Sequence, residues 1–138
     1  SHAPAALHNG MINPLLPAAL RGAIWYQGES NAGRHAEYHA LFSAMIRGWR
    51  GDFAQGDFPF YWAQLAAFRA SATDVQQWGF LREAQTQTLA LPATGQAVII
   101  DSAIGDFADI HPRDKAPVGR RLARLALARA YGDTTVAD

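Results

Sequence analysis

A chain of 138 residues with 49% hydrophobic and 17% charged side chains has the means to bury a core, which excludes a disordered linker. Twelve basic residues are balanced by twelve acidic ones, so no cationic surplus exists to neutralise phosphates, and nucleic acid is not an expected partner. The lack of cysteine removes disulfides, thiolate catalysis and thiolate-bound metal, and no apolar run reaches bilayer length, so no membrane partner is expected either.

Residues 1–20 carry Asn9-Gly10, Asn13-Pro14 and Leu16-Pro17, which are turn and cap signals. Met11, Ile12, Leu15 and Leu16 keep helical spacing between them, which predicts a short, Pro-interrupted helix packed on the body. Ala23 to Tyr26 reads as a short buried strand, and Gly28 to Gly33 as a loop. His35 to Trp49 is a predicted helix, with Tyr38, Leu41, Phe42, Met45, Ile46 and Trp49 on one stripe. Phe58 to Leu65 is a second strand whose Pro59 sits near the start, where a strand tolerates it. Residues 69–77 read as a surface loop, Trp78 to Leu91 as a helix stopped by Pro92, and Gln96 to Ile100 as a third strand. Residues 101–113 form a loop before a last helix, Val118 to Tyr131, with Leu122, Leu125 and Leu127 facing inward and Gly132 as its stop.

Strand and helix alternate three times, which predicts an α/β domain with a parallel sheet and right-handed crossovers. Three strands are few for such a sheet, since about five or six is usual. The expectation is therefore a single domain over 1–138 that is incomplete and lacks one or two N-terminal strands.

Open α/β sheets place their chemistry at the carboxyl ends of strands. Two segments there carry useful groups. His111, in Asp109-Ile110-His111-Pro112, has the side chain best suited to passing a proton near neutral pH. Asp109, two residues earlier, would steady its ring and favour the imidazolium. The same residues would also serve as a helix-entry loop in which Asp114 caps the last helix. In Gln27-Gly28-Glu29-Ser30-Asn31, Gly28 lets backbone approach a ligand, and N–H groups with the Gln27 or Asn31 amide would hold an oxyanion. Such donors lower a barrier by on the order of 3 kcal/mol.

Ser30 sits in a near match to the Gly-x-Ser-x-Gly elbow, after a strand and before a helix. Ala32 replaces the second Gly, and the loop runs on to Gly33, which blunts the sharp turn the elbow needs. Trp25, Trp49, Trp62 and Trp78 read as core residues rather than a sugar platform. His35 and His39 share a helix face without a third ligand, so no metal is assigned. Arg113, Lys115, Arg120, Arg121 and Arg124 read as the solvated face and cap of the last helix.

Taken together, Leu7-His8-Asn9-Gly10-Met11-Ile12, Gly22 to Asn31, Gly56-Asp57-Phe58-Pro59-Phe60, Leu81-Arg82-Glu83-Ala84-Gln85 and Asp109-Ile110-His111-Pro112-Arg113 resemble sialate O-acetylesterases, of the SGNH (GDSL-like) hydrolases. The resemblance spans nearly the whole chain. It implies a flavodoxin-like α/β/α domain that removes acetyl esters from sialic acid or related glycans without a cofactor. It implies a serine nucleophile in an upstream Gly-Gln-Ser-Asn block, absent from this sequence, with His111 as its base. Gln27, Gly28 and Glu29 would form the oxyanion and active-site loop.

In that superfamily the acid of the triad stands three residues before the histidine, where this chain has Ala108. Asp109 or Asp106 would have to substitute, or a backbone carbonyl would orient the ring. The resemblance also suggests a periplasmic or secreted protein. The 138-residue polypeptide by itself is expected to be nearly inactive and to self-associate through an exposed sheet edge. Two competing readings are a non-catalytic carbohydrate-binding or assembly module on the same scaffold, and an esterase whose nucleophile is Ser30.

Overall fold

The computed structural model describes residues 3, 5–69, 71–103, 107–111 and 113–136. Three strands, β1 (Ala23–Trp25), β2 (Phe60–Ala63) and β3 (Thr94–Ala97), pair in parallel in the order β1-β2-β3. Three helices follow them in turn: α1 (His35–Phe53), α2 (Ala72–Gln87) and α3 (Ala116–Leu125). This is the predicted alternation. Two crossovers moving the same way along a sheet put their helices on one face. Accordingly α1 and α2 cover Phe60, Trp62 and the flank of Trp25, while α3 covers Tyr61, Ala63, Ala97 and Ile99 on the other face. The result is a three-layer, flavodoxin-like α/β/α arrangement in which β2 is buried on both sides.

The core is aromatic. Trp62 and Phe60 are fully buried, and Phe42 meets Trp62 edge-on at 5.1 Å between ring centroids. Trp25 packs edge-on against Trp49 at 5.8 Å, so the tryptophans are core residues as predicted. The Trp62 indole N–H, which burial would otherwise leave unpaired, donates to Gln96 Oε1 at 2.9 Å. Gly95 is fixed by packing: a Cβ there would lie 2.9 Å from Cδ1 of Tyr61.

Several boundaries differ from the sequence reading. Helix α1 runs to Phe53, and its end is set by Ala54 in the left-handed region, whose N–H caps the Arg50 carbonyl. Helix α2 begins at Ala72, so most of the predicted 69–77 loop is helical. The Ser71 hydroxyl accepts from the Asp74 N–H at 3.1 Å; a polar first turn was set by its cap rather than by an apolar stripe. That helix ends at Gln87, and a 3-10 turn, Thr88–Ala90, leads to Pro92.

Strand β3 lies earlier than the β-branched run that suggested it. Its ladder stops where β2 stops, with the Gln64 N–H donating to the Ala97 carbonyl. Beyond it Ile99 is buried against α3, while Val98 and Ile100 are exposed. Helix α3 continues as a π-helical turn, Ala126–Ala130, whose wider winding shifts the face, so Leu127 is exposed rather than inward. The N-terminal segment forms a π-turn (His8–Ile12) and a 3-10 turn (Asn13–Leu15). Ile12 and Leu16 pack on the core as predicted, but Met11 and Leu15 face outward.

Neither border of the sheet, at β1 or at β3, carries a further strand among the described residues. Ile24 shares a face with buried Tyr61, yet is 68% exposed.

Candidate active site

Strand β1 delivers Tyr26, Gln27 and Gly28 to the carboxyl end of the sheet. Gly28 has φ 148°, a conformation that side chains rarely adopt. A Cβ at this position would stand 2.9 Å from Cδ2 of Leu81 and 3.4 Å from Nε2 of Gln85. The loop is therefore pressed onto α2, and only glycine fits. Its N–H forms no hydrogen bond to another described residue.

Gln85 is the latch. Its side chain is fully buried, its Nε2 donates to the Gln27 carbonyl at 3.2 Å, and its Oε1 accepts from the Leu65 N–H at 2.9 Å. One amide thus ties the loop after β1 to the loop after β2. The Tyr38 hydroxyl lies 3.2 Å from both the Gln27 carbonyl and Gln27 Oε1 and donates to this pair. Burial pushes the Tyr38 phenol up, which keeps it a neutral donor. The Tyr26 phenol is raised as well, by burial first and by nearby Glu29 second.

Glu29–Arg34 is a 3-10 turn rather than an open loop, closed by the Asn31 N–H on the Gly28 carbonyl at 2.8 Å. Gln27 Nε2 donates to Asn31 Oδ1 at 2.7 Å. The Gln27 and Asn31 side chains are thus tied to each other, and the Gly28 backbone N–H has no acceptor among the described residues. Ser30 is exposed, and its hydroxyl makes no hydrogen bond to another described residue.

The second segment is held more lightly. The His111 ring is 84% exposed. Asp109 Oδ1 accepts from the His111 backbone N–H at 2.8 Å and stands 4.0 Å from ring Nδ1, beyond hydrogen-bond range. Ile110 packs on the core between them. Asp114 Oδ1 accepts from the Ala116 N–H at 3.0 Å, the first N–H of α3, although the N-cap position itself is Lys115, which makes no side-chain cap. Lys115 Nζ lies 5.0 Å from the centre of the Tyr26 ring, which brings this segment against the residue preceding Gln27. Asp106 and Pro112 lie outside the described residues.

The other candidates separate. His35 packs on Phe80 at 4.8 Å, and His39 Nδ1 is 3.1 Å from Thr88 Oγ1. No group of three or more metal-ligating side chains occurs among the described residues. Arg121 is paired with Asp101 at 2.5 and 2.6 Å, and its hydrogen bonds lower the Asp101 carboxyl below the ordinary range.

Gln85, Leu81 and Tyr38 were missed as site residues. The spacing of Leu81, Ala84, Thr88 and Leu91 marks the inward face of a helix but assigns no site to it. The available signal was Gln85, a polar side chain on that same buried face, which requires partners.

Comparison with known proteins shows the family to which the chain belongs. The family model for carbohydrate esterase, sialic acid-specific acetylesterase, matches residues 5–128. Sialate O-acetylesterase of Rattus norvegicus is 37% identical over 145 residues, covering 94% of this chain and 27% of that protein. The Homo sapiens enzyme is 36% identical, covering 94% and 28%. The crystal structure of a novel carbohydrate acetylesterase from Xanthomonas citri superimposes with a TM-score of 0.84 at 52% identity, over 93% of this chain and 30% of that one. The chain thus spans under a third of the length of the relatives it matches. It belongs to the sialic acid-specific acetylesterase family of carbohydrate esterases.

Proposed function

We propose that this chain supplies the general base and the oxyanion loop of a serine-type carbohydrate O-acetylesterase. The observation that carries the reading is the Gln27-Gly28 turn, clamped by Gln85 and Tyr38 with the Gly28 N–H unengaged, at the sheet end the His111 segment also reaches. A backbone donor fixed before substrate arrives is the kind that lowers a barrier to acyl transfer. The serine is proposed to come from polypeptide outside these 138 residues.

In that scheme His111 takes the proton of the serine hydroxyl as its oxygen attacks the acetyl carbonyl. The carbonyl oxygen gains charge and is met by the Gly28 N–H. The tetrahedral adduct collapses, and His111 returns the proton to the departing sugar hydroxyl. Water, activated by the same imidazole, then releases acetate and regenerates the serine. Asp109 acts by holding the His111 backbone, which positions the ring.

The substrate is proposed to be an O-acetylated sugar, sialic acid or a related glycan. The bare border at β1 and the exposed Ile24 support self-association of the isolated polypeptide.

The test is acetate release from O-acetylated sugars by the full gene product. Turnover that collapses in His111→Ala supports the reading, and unchanged turnover ends it. The 138-residue polypeptide alone is expected not to hydrolyse 4-nitrophenyl acetate. Turnover there that is lost in Ser30→Ala would move the nucleophile to Ser30.

A further inference from the structure

Two arginines of this chain are drawn away from water, and only one is compensated. Arg50 is 7% exposed and donates to the Phe58 carbonyl at 2.8 Å and the Pro92 carbonyl at 2.9 Å, with Asp57 at 3.5 Å. Arg82 is half-buried on α2, and its guanidinium has no carboxylate or carbonyl partner among the described residues. Burial works against its charge, with no neighbouring anion to offset the effect. An uncompensated cation of this kind is a candidate for binding an anion.

Its surroundings are built for a ligand. Arg82 lines a cavity of about 220 Å³ together with Ala67, Phe68, Arg69, Val75 and Phe107. The Arg69 N–H donates to the Phe107 carbonyl at 2.7 Å, which joins the segments after β2 and β3 across the cavity. Phe68 is steadied by Trp78, with ring centroids 4.7 Å apart. The Arg69 side chain, too, is without an ionic partner among the described residues. The cavity therefore offers two guanidinium groups and two aromatic rings at the carboxyl end of the sheet. Phe107 belongs to the same segment as Asp109 and His111, which links the cavity wall to the proposed base.

We propose that Arg82, assisted by Arg69, holds the carboxylate of an acidic O-acetylated sugar while the aromatic walls receive its ring. This deepens the esterase reading and rests on it. Planar guanidinium groups suit a carboxylate, and the apolar walls suit the C–H face of a pyranose. The shared chemistry is a sugar carboxylate, whether of a sialic acid or of a uronic acid.

The experiment uses the full gene product with an O-acetylated N-acetylneuraminate, its carboxyl methyl ester, an O-acetylated galacturonate and a neutral O-acetylated xyloside. 4-Nitrophenyl acetate reports the chemistry itself. Arg82→Gln is expected to raise KM for acidic sugars by about tenfold to a hundredfold, with kcat and 4-nitrophenyl acetate turnover nearly kept. Arg82→Lys should recover part of the loss, and the exposed Arg69→Gln, which carries little folding risk, should give a smaller shift of the same kind. The relative response of the two acidic sugars identifies the source of the carboxylate.

Equal losses on acidic and neutral substrates, or a wild type that treats the acid and its methyl ester alike, would overturn the proposal. If no ester is hydrolysed, the esterase reading has failed. Binding of free N-acetylneuraminate and galacturonate, followed by NMR in wild type and Arg82→Gln, then decides the subsite alone. Binding of either that Arg82→Gln weakens sustains it, and no binding or equal binding of both overturns it.

Discussion

The two segments that carry the chemistry are built unequally. The Gln27-Gly28 turn is held by a fully buried amide, a buried phenol and a steric fit that admits only glycine. The His111 segment rests on one carboxylate-to-backbone bond, one apolar anchor and a lysine over a ring, and its imidazole is largely in solvent. The difference matches their tasks. Oxyanion donors act by being fixed before charge develops. A base that passes a proton back and forth needs access to its partner, and here that partner is proposed to come from elsewhere.

Mutations can break this contrast in order of expected effect. His111→Ala should lower kcat/KM on 4-nitrophenyl acetate by about a thousandfold or more, with thermal stability unchanged because the ring is exposed. Gly28→Ala comes next. Pushing the turn off Leu81 should cost about a hundredfold in kcat and also lower Tm, since the backbone conformation itself is strained for alanine.

Gln85→Leu should leave the Leu65 N–H buried and unpaired and the Gln27 carbonyl with the Tyr38 hydroxyl alone, at about 1 to 3 kcal/mol of stability by denaturant unfolding. Its loss of kcat should be nearer tenfold, at temperatures where it remains folded. Asp109→Asn keeps an acceptor for the His111 backbone and should cost less than about tenfold in kcat. A loss as large as that of His111→Ala would mean that the carboxylate reaches the ring during turnover.

Much of this molecule was legible in its sequence because the alternation of apolar runs is a physical demand of a two-faced sheet. Phe58 to Leu65 reads as a strand, and Phe60–Ala63 is one, buried on both sides. Residues such as Val98 and Ile100 misled because β-branching reports a preference for extended backbone, whereas a ladder ends where its neighbour ends. The start of α2 was missed because Ser71 and Asp74 stabilise it locally, without an apolar stripe.

At the site, Gly28 was readable as a close-approach glycine. What it approaches was not, since Leu81 and Gln85 come from a helix more than fifty residues away in the chain. The ring-to-carboxylate distance of the Asp109–His111 pair depends on side-chain rotamers that spacing does not fix.

The most direct measurement is to treat the full gene product with a fluorophosphonate and map the adduct by peptide mass spectrometry, in wild type and in His111→Ala. The account predicts rapid modification of a serine outside residues 1–138 that fails in the variant. An adduct on Ser30, or labelling at the same rate without the imidazole, would contradict it.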